Sequence, residues 1–519
     1  MPPRRRWSHV RLAGAVLVVV LAGGPDAAAR PGGGQSYRPS SSPSRSSSPS
    51  RSSSSSSTRS SSSTRSTYSP PTRSTYSAPS RSPSTSASST TTPSTPAHSG
   101  EAAETPKKGG LSTVGIVVGL AVALIIVFAI VGGGDSGAEK RARARIAQRS
   151  ADHAVAVAAL KSRDAAFDER RFTERARKVM AEVNGAWNKG DMRPARGLIS
   201  DGVFVRFQTQ LAMLKRANLR NVMAEWTSVS AELLRAESDA LWDTLDVKMV
   251  GRARDTEVAA GASAAEADAA AREAPLETYE EVWSFVRRRG TASSEAGIPA
   301  LDGKCPKCGA AVVLAETVRC THCKALMNSG EHDWVLAEIT QPEAWDPDAH
   351  SDPIAGWAEL CARDSALSRQ AIEDRASVIF WKWIASRATA DRTGLDRFCL
   401  TPGAPPLMPT MLRDVAVGAC ELHAAESGRA GLDRMHVHVT WSAKVGDSYV
   451  NSTHVLTLAR ASAARSSGGL SSLDCPTCGG ALAESDDPKC RWCGEPLFGG
   501  THEWALEDVK RESETAAAA

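Results

Sequence analysis

Eight of the eleven cysteines stand in two sets of four that share one spacing. The first set is Cys305-Pro306-Lys307-Cys308-Gly309 followed by Cys320-Thr321-His322-Cys323. The second is Cys475-Pro476-Thr477-Cys478-Gly479 followed by Cys490-Arg491-Trp492-Cys493. Thiolates from two such knuckles can surround one ion tetrahedrally, at about 2.3 Å per zinc–sulfur bond. Pro306 and Gly309, like Pro476 and Gly479, shape the tight turn that brings the first pair together. Four thiolates close the coordination sphere and leave no position for a catalytic water, so two zinc ions in structural roles are expected. A module this small buries too little apolar area to fold alone, and metal binding then supplies much of its folding free energy. The rivals are disulfides outside a cell, a redox C-x-x-C pair and an iron site; the spacing, present twice, favours zinc.

The histidines offer a second chemistry. His322 lies inside a knuckle, but Trp492 replaces it in the second copy, so it is not counted as a ligand. His332 and His502 recur, each followed two residues on by Trp334 and Trp504, and are expected to pack a closing strand of the ribbon. His436 and His438 lie two apart on an expected strand and so share a face opposite Val437 and Val439. With His454 they could bind a metal or shuttle protons; the plainer reading is a solvent-facing strand. Asp246 and Lys248 hold the corresponding places in the first copy, so the histidine set is not duplicated. No nucleophile motif, phosphate loop or HExxH helix occurs. Cys361, Cys399 and Cys420 remain, and in a reducing compartment they act as small hydrophobes.

These residues are set in a repeat. Matched cysteine positions differ by 170, while Arg163-Asp164 and Arg175-Ala176 match Arg363-Asp364 and Arg375-Ala376 with an offset of 200. Phe167, Phe172, Ala176, Val179, Val183 and Trp187 recur at helical spacing. Asp191 is positioned to cap a short helix around Met192–Ile199, and Ser200-Asp201 to start another through Phe204, Phe207, Leu211 and Leu214. Leu245, Val247 and Met249, then Tyr279, Val282, Trp283, Phe285 and Val286, read as antiparallel strands. The polar interval Val258–Ala274 reads as a loop that holds the excess length of the first copy. The fold class is therefore α+β: two tandem helix-plus-antiparallel-sheet domains with small zinc ribbons, preceded by a disordered arm and one transmembrane helix.

The helix-then-sheet segments resemble the Tim44-like domain, a family named for a peripheral subunit of the mitochondrial import motor and also found in bacterial membrane proteins. The residues that carry the resemblance are Asp164, Phe167, Phe172, Arg175, Val179, Ala186, Trp187, Asp191 and Leu198, with the strand Val282–Val286. Asp364, Leu367, Ile372, Arg375, Ile379 and Trp383 form a more divergent second set. The resemblance implies that the two tandem domains are cone-like, with helices packed on a curved antiparallel sheet around an apolar pocket, and a role in tethering protein machinery to a membrane. The ribbons and the Ser-rich arm depart from the mitochondrial member.

The N-terminal third has a different character. Arg4, Arg5, Arg6 and Arg11, the apolar run Leu12–Leu21 and Ala27-Ala28-Ala29 form the three parts of a signal peptide, 1–29; an uncleaved anchor is the rival. The Ser/Pro/Arg-rich arm, 30–110, has too few apolar side chains to order itself. Leu111–Val131 is uncharged and long enough to cross a bilayer. Lys140, Arg141, Arg143, Arg145 and Arg149 follow it on a basic juxtamembrane helix, 139–162, and outnumber Lys107 and Lys108 before it. That excess places the C-terminal side in the cytoplasm. The remaining boundaries are 163–290 for the first Tim44-like domain, 301–340 for its ribbon, 360–465 for the second domain and 472–510 for the second ribbon.

Net charge is +4, but residues 1–150 carry a net +14 and the rest a net −10. An acidic folded part disfavours nucleic acid, whose affinity comes largely from Lys and Arg. The expected molecule is a bacterial plasma-membrane protein with one span, its arm outside and its domains cytoplasmic. It tethers or scaffolds a polypeptide or lipid partner and is not an enzyme; a metal- or His-dependent enzyme and a nucleic-acid-binding zinc-ribbon protein are the alternatives.

Overall fold

Two antiparallel sheets, each of four strands in sequence order, carry the architecture. The computed structural model describes residues 153–294, 297–312, 318–346, 353–482 and 487–516, all in one compact unit. The expected signal peptide, the Ser-rich arm, the expected span Leu111–Val131 and most of the basic juxtamembrane stretch lie outside the described residues. Among the described residues no helix is long and apolar enough to cross a membrane.

The first domain opens with α1 (His153–Arg163), which sends Val157 and Leu160 into the core. Helix α2 (Glu169–Asn188) is capped by Asp168, whose side chain accepts from the Arg171 N–H at 2.8 Å. Its buried face is Phe172, Ala176, Val179, Met180, Val183 and Trp187, as the spacing predicts. The segment after Asp191 is only a 3-10 turn, Arg193–Ala195, rather than a helix to Ile199. Asp191 does accept from the Arg193 N–H at 3.0 Å, but Leu198 and Ile199 are drawn into pairing with a strand far along the chain. Ser200 caps α3 (Asp201–Arg216), accepting from Val203.

The first sheet is β1 (Leu219–Ser238), β2 (Trp242–Ala259), β3 (Leu276–Arg288) and β4 (Val335–Thr340). Sequence reading missed β1, whose alternation is broken by three register shifts against β2. Such bulges add twist and bend the sheet over the helices. The interval Val258–Ala274 is not a loop. It contains α4 (Ala264–Glu273), whose Ser263 and Glu266 satisfy each other's backbone N–H groups in a capping box.

The second domain repeats the order with α5 (Trp357–Arg363), α6 (Arg369–Thr389), β5 (Leu412–Arg429), β6 (Leu432–Val445), β7 (Ser448–Ala461) and β8 (Ala505–Ala516). Nothing helical matches α3; the Pro-rich stretch from Thr401 to Met411 takes its place. The excess length of the first copy is thus shared between α3 and the α4 hairpin, and does not sit in one loop.

The ribbons are not appended to the sheets. Each is inserted between the third and fourth strands, because the residues after the cysteines form β4 and β8 and pair with β3 and β7. Thus Trp334 and Trp504 do not close a ribbon; they lead into the main sheets. Each fourth strand is also held on its other side: Leu336 donates to Leu198 at 2.9 Å, and Leu400 donates to Leu506 at 2.8 Å.

Aromatic rings pack between helix and sheet in the first domain. Phe172 packs edge-on against Phe285 at 5.5 Å and Trp334 at 5.1 Å, and Trp187 lies 5.7 Å from Phe207. Phe380, Trp383 and Trp441 do the same in the second. Helix α6 is buried on two faces, since α3 covers the face turned away from its own sheet.

Candidate functional site

The four thiols of each ribbon are brought together as their spacing predicts. In each set all four Sγ atoms lie within 4.8 Å of one another. Cys305 and Cys323 are 3.6 Å apart, Cys308 and Cys320 3.8 Å, and Cys475–Cys493 and Cys478–Cys490 both 3.7 Å. A zinc tetrahedron with bonds of about 2.3 Å has edges of about 3.8 Å, so both donor sets fit that ion. Each knuckle closes with the N–H of the residue after its second cysteine bonded back to the first: Gly309 to Cys305 and Lys324 to Cys320, for example, at 2.8 and 2.9 Å. That residue has positive φ, 72° at Gly309 and 63° at Lys324, so glycine is the comfortable choice and Lys324 is strained. Backbone N–H groups of Cys323 and His322 help draw the Cys320 thiol down to about 6, toward the thiolate a metal requires.

The histidines stay out of these centres. His502 pairs with Glu495 at 2.7 Å, and burial lowers His332. The remaining cysteines are not clustered: Cys361 is half-buried, Cys399 and Cys420 are buried, and burial pushes Cys399 up to about 12.

The set His436, His438 and His454 is not assembled. His454 pairs in register with Val439, so it shares the core face, and His436 and His438 project from the other. His454 accepts from Trp441 Nε1 at 3.0 Å, and burial, with Arg387 and Arg511 nearby, holds it down to about 4. It is a neutral core acceptor. On the outer face His438 stacks on His423 with centroids 4.3 Å apart, a neighbour that sequence reading did not single out. A β-bulge between Leu422 and Ala424 brings it there, and no pattern of alternation would have shown it.

A buried ionic signature is repeated in both domains. Arg287 donates to Asp164 at 3.0 Å while its guanidinium lies 4.3 Å from the Trp334 ring centroid. Arg460 donates to Asp364 at 2.9 Å and lies 4.4 Å from Trp504. Ser293 and Ser466 complete the two sets. Beside each lies a crevice at the first turn of the long helix. In the first domain it is about 800 Å³, with Phe167, Phe172, Ile298 and Trp334 as its apolar wall and charged residues of both signs around them, Arg171, Arg175 and Lys178 with Asp168, Glu174 and Asp333. The matching crevice in the second domain is about 400 Å³, between Leu367, Ile372, Ser471 and Trp504.

The two domains are fastened to each other through Asp201. Its carboxylate accepts from the Ser472 and Leu473 N–H groups at 2.8 and 2.9 Å and from Asn328 at 3.0 Å. One residue on, the Gly202 N–H donates to Asp374 of α6 at 2.9 Å. Burial, and then the nearby Asp201, raise Asp374 to about 7. The ribbons also meet, with Arg319 of the first 3.6 Å from Asp474 at the base of the second.

No curated protein matches the chain. A solved structure described as an Ntf2 like protein involved in plasmid conjugation aligns over 68% of this chain and 99% of its own. It shares 8% sequence identity with a TM-score of 0.16. Residues 153–296 match the Tim44-like domain.

Proposed function

We propose that the chain is a membrane-anchored tethering or scaffold protein and not an enzyme, with two Tim44-like domains stiffened by structural zinc ribbons. The observation that carries this is the union of the two domains into one body around Asp201, with a crevice repeated at the same place in each. The crevice of the first domain joins an apolar wall to charged side chains of both signs, which suits a polypeptide segment or the chain and headgroup of a lipid. The uncharged stretch Leu111–Val131 supplies the anchor, in a bacterial plasma membrane with the domains on the cytoplasmic side.

The test is site-specific photo-crosslinking in intact membranes from position 178, on the crevice rim, with position 276 on β3 as the control surface. The reading expects a discrete polypeptide or lipid adduct from 178 and none from 276. Equal labelling from both positions refutes it, as does substrate turnover by the purified chain that is lost on replacing His436 or His438.

A further inference from the structure

We infer that the two ribbons take up zinc cooperatively, because one side chain of the first ribbon, Arg319, braces a knuckle in each. The inference rests on the zinc reading proposed above and is independent of the tethering role.

Arg319 precedes Cys320 and Asp474 precedes Cys475, so each adjoins a ligand of a different site. The Arg319 guanidinium makes three contacts. Its Nη1 donates to the Lys324 carbonyl at 2.9 Å, across the knuckle that holds Cys320 and Cys323. Its Nη2 lies 3.6 Å from Asp474 Oδ2, on a side chain only 5% exposed. It also lies against Gly479, where a Cβ would come 2.8 Å from Arg319 Cζ. The Gly479 N–H is the group that closes the other knuckle, on the Cys475 carbonyl at 2.8 Å. Asp474 is itself fixed from behind. Ser472 and Leu473 are held by Asp201, and the Leu470 N–H donates to the Ser329 carbonyl of the first ribbon's exit at 3.0 Å.

This contact is no by-product of the repeat. At the offset of 170, Lys489 stands for Arg319 and Lys304 for Asp474, so the acid of the second ribbon is a base in the first. A Cβ at Gly309, the counterpart of Gly479, would meet nothing within 4 Å. The consequence follows from how such modules fold. Metal binding and ribbon folding are one event, so a ribbon without zinc loses its knuckle turns and its side of the contact. If the first ribbon opens, Asp474 loses an ion-pair partner while it remains buried, which disfavours the folded second ribbon. If the second opens, Arg319 loses both Asp474 and the surface of Gly479. Each zinc therefore raises the affinity for the other, by the same factor in both directions.

The experiment is native mass spectrometry of the full chain in detergent micelles, with zinc withdrawn by graded competition from a chelator of known affinity. Cys308→Ser leaves the second ribbon as the zinc site, and Cys478→Ser the first. Each variant gives the affinity of one ribbon beside an empty neighbour. The overall affinity of the wild-type chain for two zinc ions should exceed the product of those two affinities by a factor of about five or more. Gly479→Ala should abolish the excess, measured against the same single-ribbon variants in its own background. Gly309→Ala imposes a like strain, with φ of 72° against 67° at Gly479, but does not meet Arg319, and should keep the excess. Arg319→Ala should abolish it too and strains no turn, so it carries the test where Gly479→Ala fails to load its ribbon. No excess in the wild type, or an excess unchanged in Arg319→Ala, overturns the inference and leaves the zinc ribbons standing. Absence of zinc from both ribbons overturns the two together.

Discussion

Arg287 and Asp164 form a buried ion pair at 3.0 Å, and Arg460 and Asp364 repeat it at 2.9 Å in the second domain. Each arginine ties the third strand of its sheet to the residue that ends the first helix. Replacing one partner leaves the other charge buried, at a cost of about 3–5 kcal/mol. Arg287→Met and Arg460→Met are each expected to lower stability by that order in chemical denaturation. The pH dependence has a definite sign. Burial alone would raise Asp164 and Asp364, but hydrogen bonds from Ser293 and Arg287, and from Arg460 and Ser466, outweigh it and leave both below the usual value. Carboxyls depressed in the folded state stabilise above their unfolded pKa and lose that contribution as pH falls through the folded one. The wild-type chain should therefore lose stability in acid below about pH 4, and the Asp164→Asn variant should lose less there.

Asp374 should act in the opposite direction. Its raised value, about 7, means the folded state holds a proton that the unfolded chain has already released. Its contribution is present at low pH and disappears as pH rises through about 7. Denaturation between pH 5 and 8 should show this loss, and Asp374→Asn should flatten it. Gly202 tests the same contact by shape. A Cβ there would come 2.5 Å from Asp374 Oδ1 and 3.1 Å from its backbone oxygen. Gly202→Ala should cost about 1–3 kcal/mol through overpacking, and limited proteolysis should then cut between the domains.

Metal content is the direct check on the ribbons. The purified chain should carry about two zinc per molecule, each with four sulfur neighbours at about 2.3 Å in X-ray absorption. Because each ribbon joins the third strand of a sheet to the fourth, chelation should loosen β4 and β8 as well as the knuckles. Hydrogen exchange would show this as faster exchange at Leu336 and Leu506, with α2 and α6 protected longer. Exchange confined to the knuckles would mean that the fourth strands hold without metal.

What could be read from sequence followed from strict local rules. The thiol spacing named the eight cysteines that lie together in two groups of four, and helical spacing named Phe172 to Trp187 as a buried face. Ser200 announced α3 through its cap. The failures have equally local causes. Strand β1 was hidden by bulges that break its alternation. Helix α4 is so Ala-rich and polar that only Ser263 and Glu266 mark it. The insertion of the ribbons was illegible because β4 has only six residues, and its pairing with β3 is a long-range fact. Asp201 looked like a simple helix start, and nothing local announces that its carboxylate holds Ser472 and Leu473.

His454 separates the catalytic reading from the structural one. Its Nδ1 accepts from Trp441 Nε1 at 3.0 Å inside the aromatic cluster, on the face of β7 turned away from His436 and His438. His454→Leu keeps the apolar contacts but strands the buried indole N–H, which costs about 1–3 kcal/mol. His436→Ala and His438→Ala, on the outer face, should change stability by less than about 0.5 kcal/mol and leave zinc content at the wild-type value. The three variants measured side by side in denaturant should therefore split, with His454→Leu well below the other two. A shared loss in all three, or loss of metal in any of them, would mean that the histidines work together despite lying on opposite faces of the sheet.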